Sequence, residues 1–329
     1  MNDSTKGEGT HLIAKLRRWA RDVRANAKTA ALQAQKCSES LRALEARLVE
    51  TNVIVSRQSS KLEYATDRVD YIANRIDNRR SNSSSPIATH DEMSSAITSV
   101  WNDYDDEEYR KDQSHYRGVG RWADDKAWQE IGQASRRRIE IIRRILDRSE
   151  LHDINVLEWG PGGGANLFAF RDIASRYYGI DISQKNLDES TRMIKEAGRS
   201  EIFNPVLLEG HPESIRDAVP HKIDVFLTTS VFQHFPSQQY GLDVLKTIRA
   251  VASDDAFGFI HIRFDDGREK FKGIEHIRDY KKRHITANSY PLEEFWGHLS
   301  NAGFTPLAVC DIRAANNSAV FYARCAPVS

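Results

Sequence analysis

Apolar residues recur every seven positions along the first quarter of the chain. Ile13, Ala20, Ala27, Ala34, Leu41, Leu48, Val55, Leu62, Val69 and Ile76 form one series. Leu16, Val23, Ala30, Cys37, Leu44, Thr51, Gln58, Ala65 and Ile72 form a second, offset by three. No proline or glycine interrupts residues 10–85. An a/d seam of this kind, sustained over nine heptads, predicts a coiled-coil helix about 95 Å long. The competing reading is a single helix packed on the rest of the chain, but an a/d-only stripe is narrow for ordinary globular packing. Alanines at 20, 27, 30 and 34 allow close approach, and Thr51 and Gln58 are polar layers that fix register at a cost in stability. Dimer and trimer both fit the seam over residues 13–76.

Arg79-Arg80-Ser81-Asn82-Ser83-Ser84-Ser85-Pro86 ends the pattern and reads as a flexible linker. Beyond it the period changes. A helix is predicted over Gln133–Arg148, with Ile139, Ile142, Ile145 and Leu146 inward and five arginines on a solvated face. Short apolar runs then alternate with helix-compatible segments. Strands are predicted at 154–157, 177–180, 205–208, 224–230, 257–264, 304–312 and 319–325. Helices are predicted at 165–175, 183–198, from Pro236 to about Val251, and at 292–301. This alternation specifies an α/β fold.

The first strand runs into Glu158-Trp159-Gly160-Pro161-Gly162-Gly163-Gly164-Ala165. Glycines let a backbone approach a ligand closely, and the following helix start offers unpaired N–H groups. Gly160-x-Gly162-x-x-Ala165 fits a dinucleotide fingerprint as well. Two acidic residues tilt the reading: Glu158, two positions before the first glycine, and Asp181, at the end of the next strand. Here the chain resembles the class I S-adenosylmethionine-dependent methyltransferases, over roughly residues 133–326. Their first motif is matched by Glu158, Gly160, Gly162 and Gly164, and their second by Asp181. The two closing strands, joined by Arg313–Ser318, resemble the family's terminal hairpin. The resemblance implies a Rossmann-like seven-stranded sheet with a C-terminal antiparallel hairpin, preceded here by the coiled-coil helix. It implies S-adenosyl-L-methionine as cofactor, with its ribose hydroxyls on Asp181 and its methionine part over the glycine turn. Ile182 and Ser230, at the ends of the second and fourth strands, join that predicted site. After the third strand stands Glu209-Gly210-His211, with His211 where the family usually has an acid for adenine. The adenine contact is then expected from Glu209 or from backbone around Gly210 and His211.

Three segments follow: an oligomerisation helix (1–80), a linker and candidate lid (81–132) and the catalytic domain (133–329). The lid candidate mixes polar groups with large aromatics in Ser114-His115-Tyr116-Arg117-Gly118-Val119-Gly120-Arg121-Trp122. Arg117 or Arg121 is a candidate partner for the cofactor carboxylate, with Tyr116 packed near it. A polar insert between Asp265 and Tyr290 leaves the carboxyl end of the sheet and is expected to roof the acceptor pocket.

Charge balance is even, 47 basic against 47 acidic residues, which gives no global pull toward nucleic acid. The basic helix start, Lys15, Arg17, Arg18, Arg21, Arg24 and Lys28 with Trp19, suits peripheral contact with an anionic membrane. No apolar run approaches the length of a membrane span. Cys37, Cys310 and Cys325 show no paired spacing, so a cytoplasmic location is expected and no metal site.

Methyl transfer to a hydroxyl needs a base, because the acceptor's own pKa lies far above neutral. His234, just past the fourth strand in Val231-Phe232-Gln233-His234-Phe235-Pro236, is the catalytic candidate, with His261 next. A small polar or glycan acceptor is expected. The layout, a rod ahead of a methyltransferase, is similar to enzymes that cap bacterial O-antigen chains. A non-catalytic nucleoside-binding scaffold is the alternative.

Overall fold

The computed structural model describes residues 88–327 except Tyr104, with further residues scattered between Lys15 and Thr51. The chain divides into two compact units, Met1–Thr66 and Asp67–Ser329. In the first unit every described residue is helical and exposed, including the seam residues Val23, Leu41, Leu44 and Leu48. Most of the seam, and the linker through Pro86, lie outside the described residues.

Seven strands form the core of the second unit. They are β1 (Ile154–Trp159), β2 (Ala174–Asp181), β3 (Phe203–Leu207), β4 (Ile223–Thr228), β5 (Ala252–Arg263), β6 (Phe304–Arg313) and β7 (Ser318–Cys325). Their order is β3-β2-β1-β4-β5-β7-β6, all parallel up to β5, with β7 antiparallel to both neighbours. This is the Rossmann-like sheet with a closing hairpin that the sequence predicts. Central strands are covered on both faces, so they read as continuous apolar runs. Alternate residues serve opposite faces: Val156, Tyr177 and Val225 enter one core, Leu157, Tyr178 and Phe226 the other.

Eight helices dress the described part of this unit: α1 (His90–Asn102), α2 (Glu107–Gln113), α3 (Asp125–Ile145), α4 (Ala165–Phe170), α5 (Gln184–Glu196), α6 (Gln238–Val251), α7 (Tyr280–Arg283) and α8 (Leu292–Asn301). Helix α3 starts eight residues before the predicted Gln133. The Asp124 side chain caps it by accepting from the Lys126 N–H. Trp128, Gly132, Ser135, Ile139 and Ile142 make its buried stripe, spaced four and three apart. Ile145, expected inward, is 53% exposed, because the buried stripe continues from Ile142 to Leu146 and Ile145 falls beside it. Its arginines pair on the surface, Arg136 with Asp172 at 2.7 Å and Arg138 with Asp311 at 2.7 Å. Exposed pairs of this kind contribute at most about 1 kcal/mol.

Helix α4 is shorter than predicted. It stops at Phe170 because the chain must turn so that Ala174 can pair with Ile154 and begin β2. Helix α1 was not predicted, although its signals stand in the sequence. Thr89 and Glu92 form a capping box. Met93, Ile97 and Val100 follow on one face and are buried.

Candidate active site

A cleft opens where β1 and β4 part, beyond their carboxyl ends. That is the place where strand order reverses and where open α/β sheets bind ligands. Gly160 and Gly162 form its floor in left-handed conformations (φ 75° and 52°) that a side chain would strain. Asp181, at the tip of β2, forms one wall and is only 7% exposed. Its carboxylate accepts from the Ser183 N–H at 2.9 Å and from the Asn186 amide at 3.2 and 3.3 Å. Burial nevertheless lifts its pKa to about 6. Ile182 and Leu208 add apolar surface beside it.

Glu158 lies one layer behind the floor and does not line the cleft. Asn166 donates to one of its oxygens at 2.5 Å and the Tyr177 hydroxyl to the other at 2.6 Å. Burial raises its pKa to about 7. It braces the glycine turn against α4 and β2. Gly164 serves the same frame: it is the left-handed N-cap of α4, and a Cβ there would sit 3.1 Å from the Ser190 backbone.

The opposite wall begins at the end of β4. Ser230 is left-handed (φ 58°) and lines the cleft. Its N–H donates to His261 Nδ1 at 3.1 Å, so that nitrogen of His261 is an acceptor. His261 stays neutral, its pKa lowered to about 4 by burial and nearby arginines. Four residues on, His234 also lines the cleft. Its Nδ1 donates to the His284 carbonyl at 2.8 Å, which fixes the tautomer and leaves Nε2 as the acceptor. Only the Gln233 amide, at 3.5 Å, stands near Nε2. The Trp101 ring meets the imidazole edge-on at 5.0 Å. Burial drives the His234 pKa down to about 3.

The insert between Asp265 and Tyr290 braces this turn from behind, and none of its residues lines the cleft. The Tyr280 hydroxyl donates to the His234 carbonyl at 2.6 Å, and the Asn288 N–H to the Gln233 carbonyl at 3.0 Å. It therefore holds His234 in place instead of roofing the pocket.

The segment before α3 lines the cleft, but through residues other than Arg117. Arg117 pairs with Asp125, stacks over Trp128 and stays away from the cleft. Ile97 and Trp101 of α1 and Gln113, Ser114 and His115 after α2 supply the lining. The Gly163 N–H donates to the Ser114 carbonyl at 2.7 Å. A Cβ on Gly163 would sit 2.4 Å from the His115 carbonyl. Gly163 is thus glycine to admit the strap. Gly163→Ala is expected to lift the strap and lower stability by about 1–3 kcal/mol, the usual cost of overpacking. Denaturant unfolding measures it, and an unchanged midpoint would mean that the strap does not press on the turn.

A buried network ties this cover to Asp181. Arg110, 2% exposed, donates to Tyr116 Oη at 3.3 Å and to Asn186 Oδ1 at 3.2 Å. Asn186 passes its amide to Asp181. Sequence reasoning missed Arg110 and Asn186, since no spacing rule links them, and it placed Ser114 and His115 in the lid candidate without giving their side chains a role. Glu209, Gly210 and His211 are not brought to the cleft. Leu208 reaches it, and His211 precedes the short 3-10 turn Pro212–Arg216. Among the described residues no cluster suited to a metal ion occurs.

These groups fit S-adenosyl-L-methionine. A buried carboxylate faces the cleft as an acceptor for two hydroxyls, apolar side chains flank it, and the floor is bare backbone. A methyltransferase-domain family model matches residues 131–309. Among solved structures, the Synechocystis magnesium protoporphyrin IX methyltransferase with bound S-adenosylhomocysteine is similar in fold. It has a TM-score of 0.50 and 13% identity, over 70% of this chain and 99% of that one. An S-adenosylmethionine-dependent methyltransferase from Clostridium acetobutylicum aligns at a TM-score of 0.43 and 12% identity, over 56% and 89% of the two chains. A curated relative, a probable non-canonical nonribosomal peptide synthetase from Salinispora arenicola, is 29% identical over 133 residues. That match spans 37% of this chain and only 2% of the relative's length. Between a dinucleotide site and a methyl-donor site, both of which begin with such a glycine turn, the family match decides: this chain belongs to the methyltransferase-domain family, as a class I enzyme whose cofactor is S-adenosyl-L-methionine.

Proposed function

We propose that the enzyme methylates a hydroxyl oxygen of a small polar acceptor, a sugar hydroxyl among them, with His234 as the base. The observation that carries this is the anchored imidazole, neutral and fixed in one tautomer at the rim of the cleft. Bound S-adenosyl-L-methionine supplies an activated methyl group. The chain is then left to align the acceptor, exclude water and take its proton. His234 Nε2 accepts the proton while the His284 carbonyl holds Nδ1–H. Gly160, Gly162, Asp181, Ile182 and Ser230 hold the cofactor, and Glu158 and Gly164 hold the turn beneath it. A panel of sugars and other alcohols, incubated with methyl-labelled cofactor, tests the assignment. Label found only on nitrogen or carbon would overturn it.

The working form is proposed to be a dimer or trimer joined through residues 13–76, with residues 81–132 as cover and 133–329 as catalytic domain. Support comes from the exposed apolar seam: Leu41, Leu44 and Leu48 are 59%, 63% and 64% exposed in the single chain. Removing residues 1–80 is expected to leave a folded monomer that still binds S-adenosylhomocysteine. Light scattering on both forms reads the mass, and an oligomer surviving the deletion would move the interface to the catalytic domain. The exposed cations from Lys15 to Lys28, with Trp19 at 65% exposure, support contact with an anionic lipid surface. No helix among the described residues is long and apolar enough to cross a membrane.

A further inference from the structure

The cofactor carries an α-amino-acid end, with a carboxylate and an ammonium group, and among the described residues no lysine or arginine lines the cleft to meet that carboxylate. Arg117 and Arg121, the expected partners, are held by Asp125 and Asp112. The strap that lies on the glycine turn instead presents two groups of a different kind. Ser114 is 5% exposed and lines the cleft, and its Oγ is buried with no hydrogen-bond partner. His115 lines the cleft beside it, with its ring edge-on to Trp122 at 4.7 Å. Its ring nitrogens have no hydrogen-bond partner among the described residues. Its backbone is left-handed (φ 61°), an uncommon conformation for a side-chain-bearing residue.

The backbone around these two residues is fully tied down. Ser114's carbonyl accepts from Gly163, and His115's carbonyl accepts from Trp128 Nε1 at 2.8 Å. Tyr116 Oη donates to the Lys185 carbonyl at 2.7 Å. The strap is thus held through its main chain while its two polar side chains make no hydrogen bond among the described residues. A buried hydroxyl with no partner destabilises the empty protein, and a left-handed histidine adds strain. Costs of this kind persist where a ligand redeems them.

We propose that Ser114 and His115 form the subsite for the amino-acid end of S-adenosyl-L-methionine, a clamp of hydroxyl and imidazole in place of the expected arginine. The proposal rests on the cofactor assigned above and goes beyond it by naming the residues. The Ser114 hydroxyl donates to the carboxylate or accepts from the ammonium. The imidazole, kept neutral by burial and by Arg121, has one donor and one acceptor to offer the same two groups.

The test compares two ligands by calorimetry on the full-length chain. S-adenosylhomocysteine carries the amino-acid end, and 5′-methylthioadenosine lacks it while sharing the ribose and adenine. Ser114→Ala and His115→Gly are each expected to weaken S-adenosylhomocysteine about 10-fold or more, as loss of a hydrogen bond to a charged group does. Their affinity for 5′-methylthioadenosine is expected to stay at the wild-type value. Ser114→Ala should keep its thermal stability, because alanine removes an unpartnered hydroxyl, and His115→Gly is read by the ratio of its two affinities, because relief of left-handed strain is set against the lost Trp122 contact. Equal weakening of both ligands, or of neither, overturns the clamp. Wild-type protein that binds neither ligand would refute the cofactor assignment itself, a separate outcome.

Discussion

Replacing His234 with alanine is expected to lower methyl transfer by about 10²-fold, the lower end of the range for a positioned general base. The lower end applies because the resting imidazole is a weak base. Burial holds its pKa at about 3, so little driving force comes from basicity and most from placement. That placement is firm, with Nδ1 held by the His284 carbonyl and the turn held by Tyr280 and Asn288. Cofactor affinity should barely change, since Asp181 and the glycine floor are untouched. The pH dependence has a definite sign. Only neutral imidazole accepts a proton, and this one is neutral above about pH 3. Activity should therefore be level with respect to His234 from pH 5 to pH 8 and fall only near pH 3–4. An acid limb near the ordinary histidine value would belong to another group. Near-normal turnover in the variant would remove His234 from the reaction and direct attention to His261 or His284.

Asp181→Ala is expected to weaken S-adenosylhomocysteine by about 1.5–3 kcal/mol, the worth of hydrogen bonds to a charged acceptor. The same carboxylate anchors Ser183 and Asn186, and through Asn186 it meets Arg110, so the variant also loosens the cover. Its pKa makes a second expectation. In the empty protein the carboxyl is protonated below about pH 6, while accepting from two hydroxyls requires the carboxylate. Binding below that pH must release a proton. Affinity should therefore climb about tenfold per pH unit up to about 6 and level off above it. Calorimetry in buffers of different ionisation enthalpy counts the proton directly. Unchanged affinity in the alanine variant would take Asp181 out of the ribose site.

Much of this protein was legible in one dimension. The period of the apolar residues changes from seven to the short runs of an α/β sheet, and the strand order follows once the glycine turn is seen. The position of Asp181 was readable because the second strand was expected to end there, beside the glycine turn. Helix α1 was equally readable, through Thr89, Glu92 and the spacing of Met93, Ile97 and Val100, and was passed over. Arg117 went the other way: its charge suggested a ligand, and Asp125, eight residues on, consumed it.

By itself the sequence determined the sheet, its glycine floor and the acid beside it, because strand periodicity and glycine placement are local properties of the backbone. Only the tertiary structure decided which groups face the cleft. Glu158 and Asp181 look alike in sequence, yet one is buried behind the turn by Asn166 and Tyr177 and the other opens onto the site. Ser114 and His115 reach it from nearly fifty residues upstream, because Gly162 and Gly163 leave room for their backbone. Such contacts join residues far apart in the chain, and their energies arise only when packing has brought the two surfaces together.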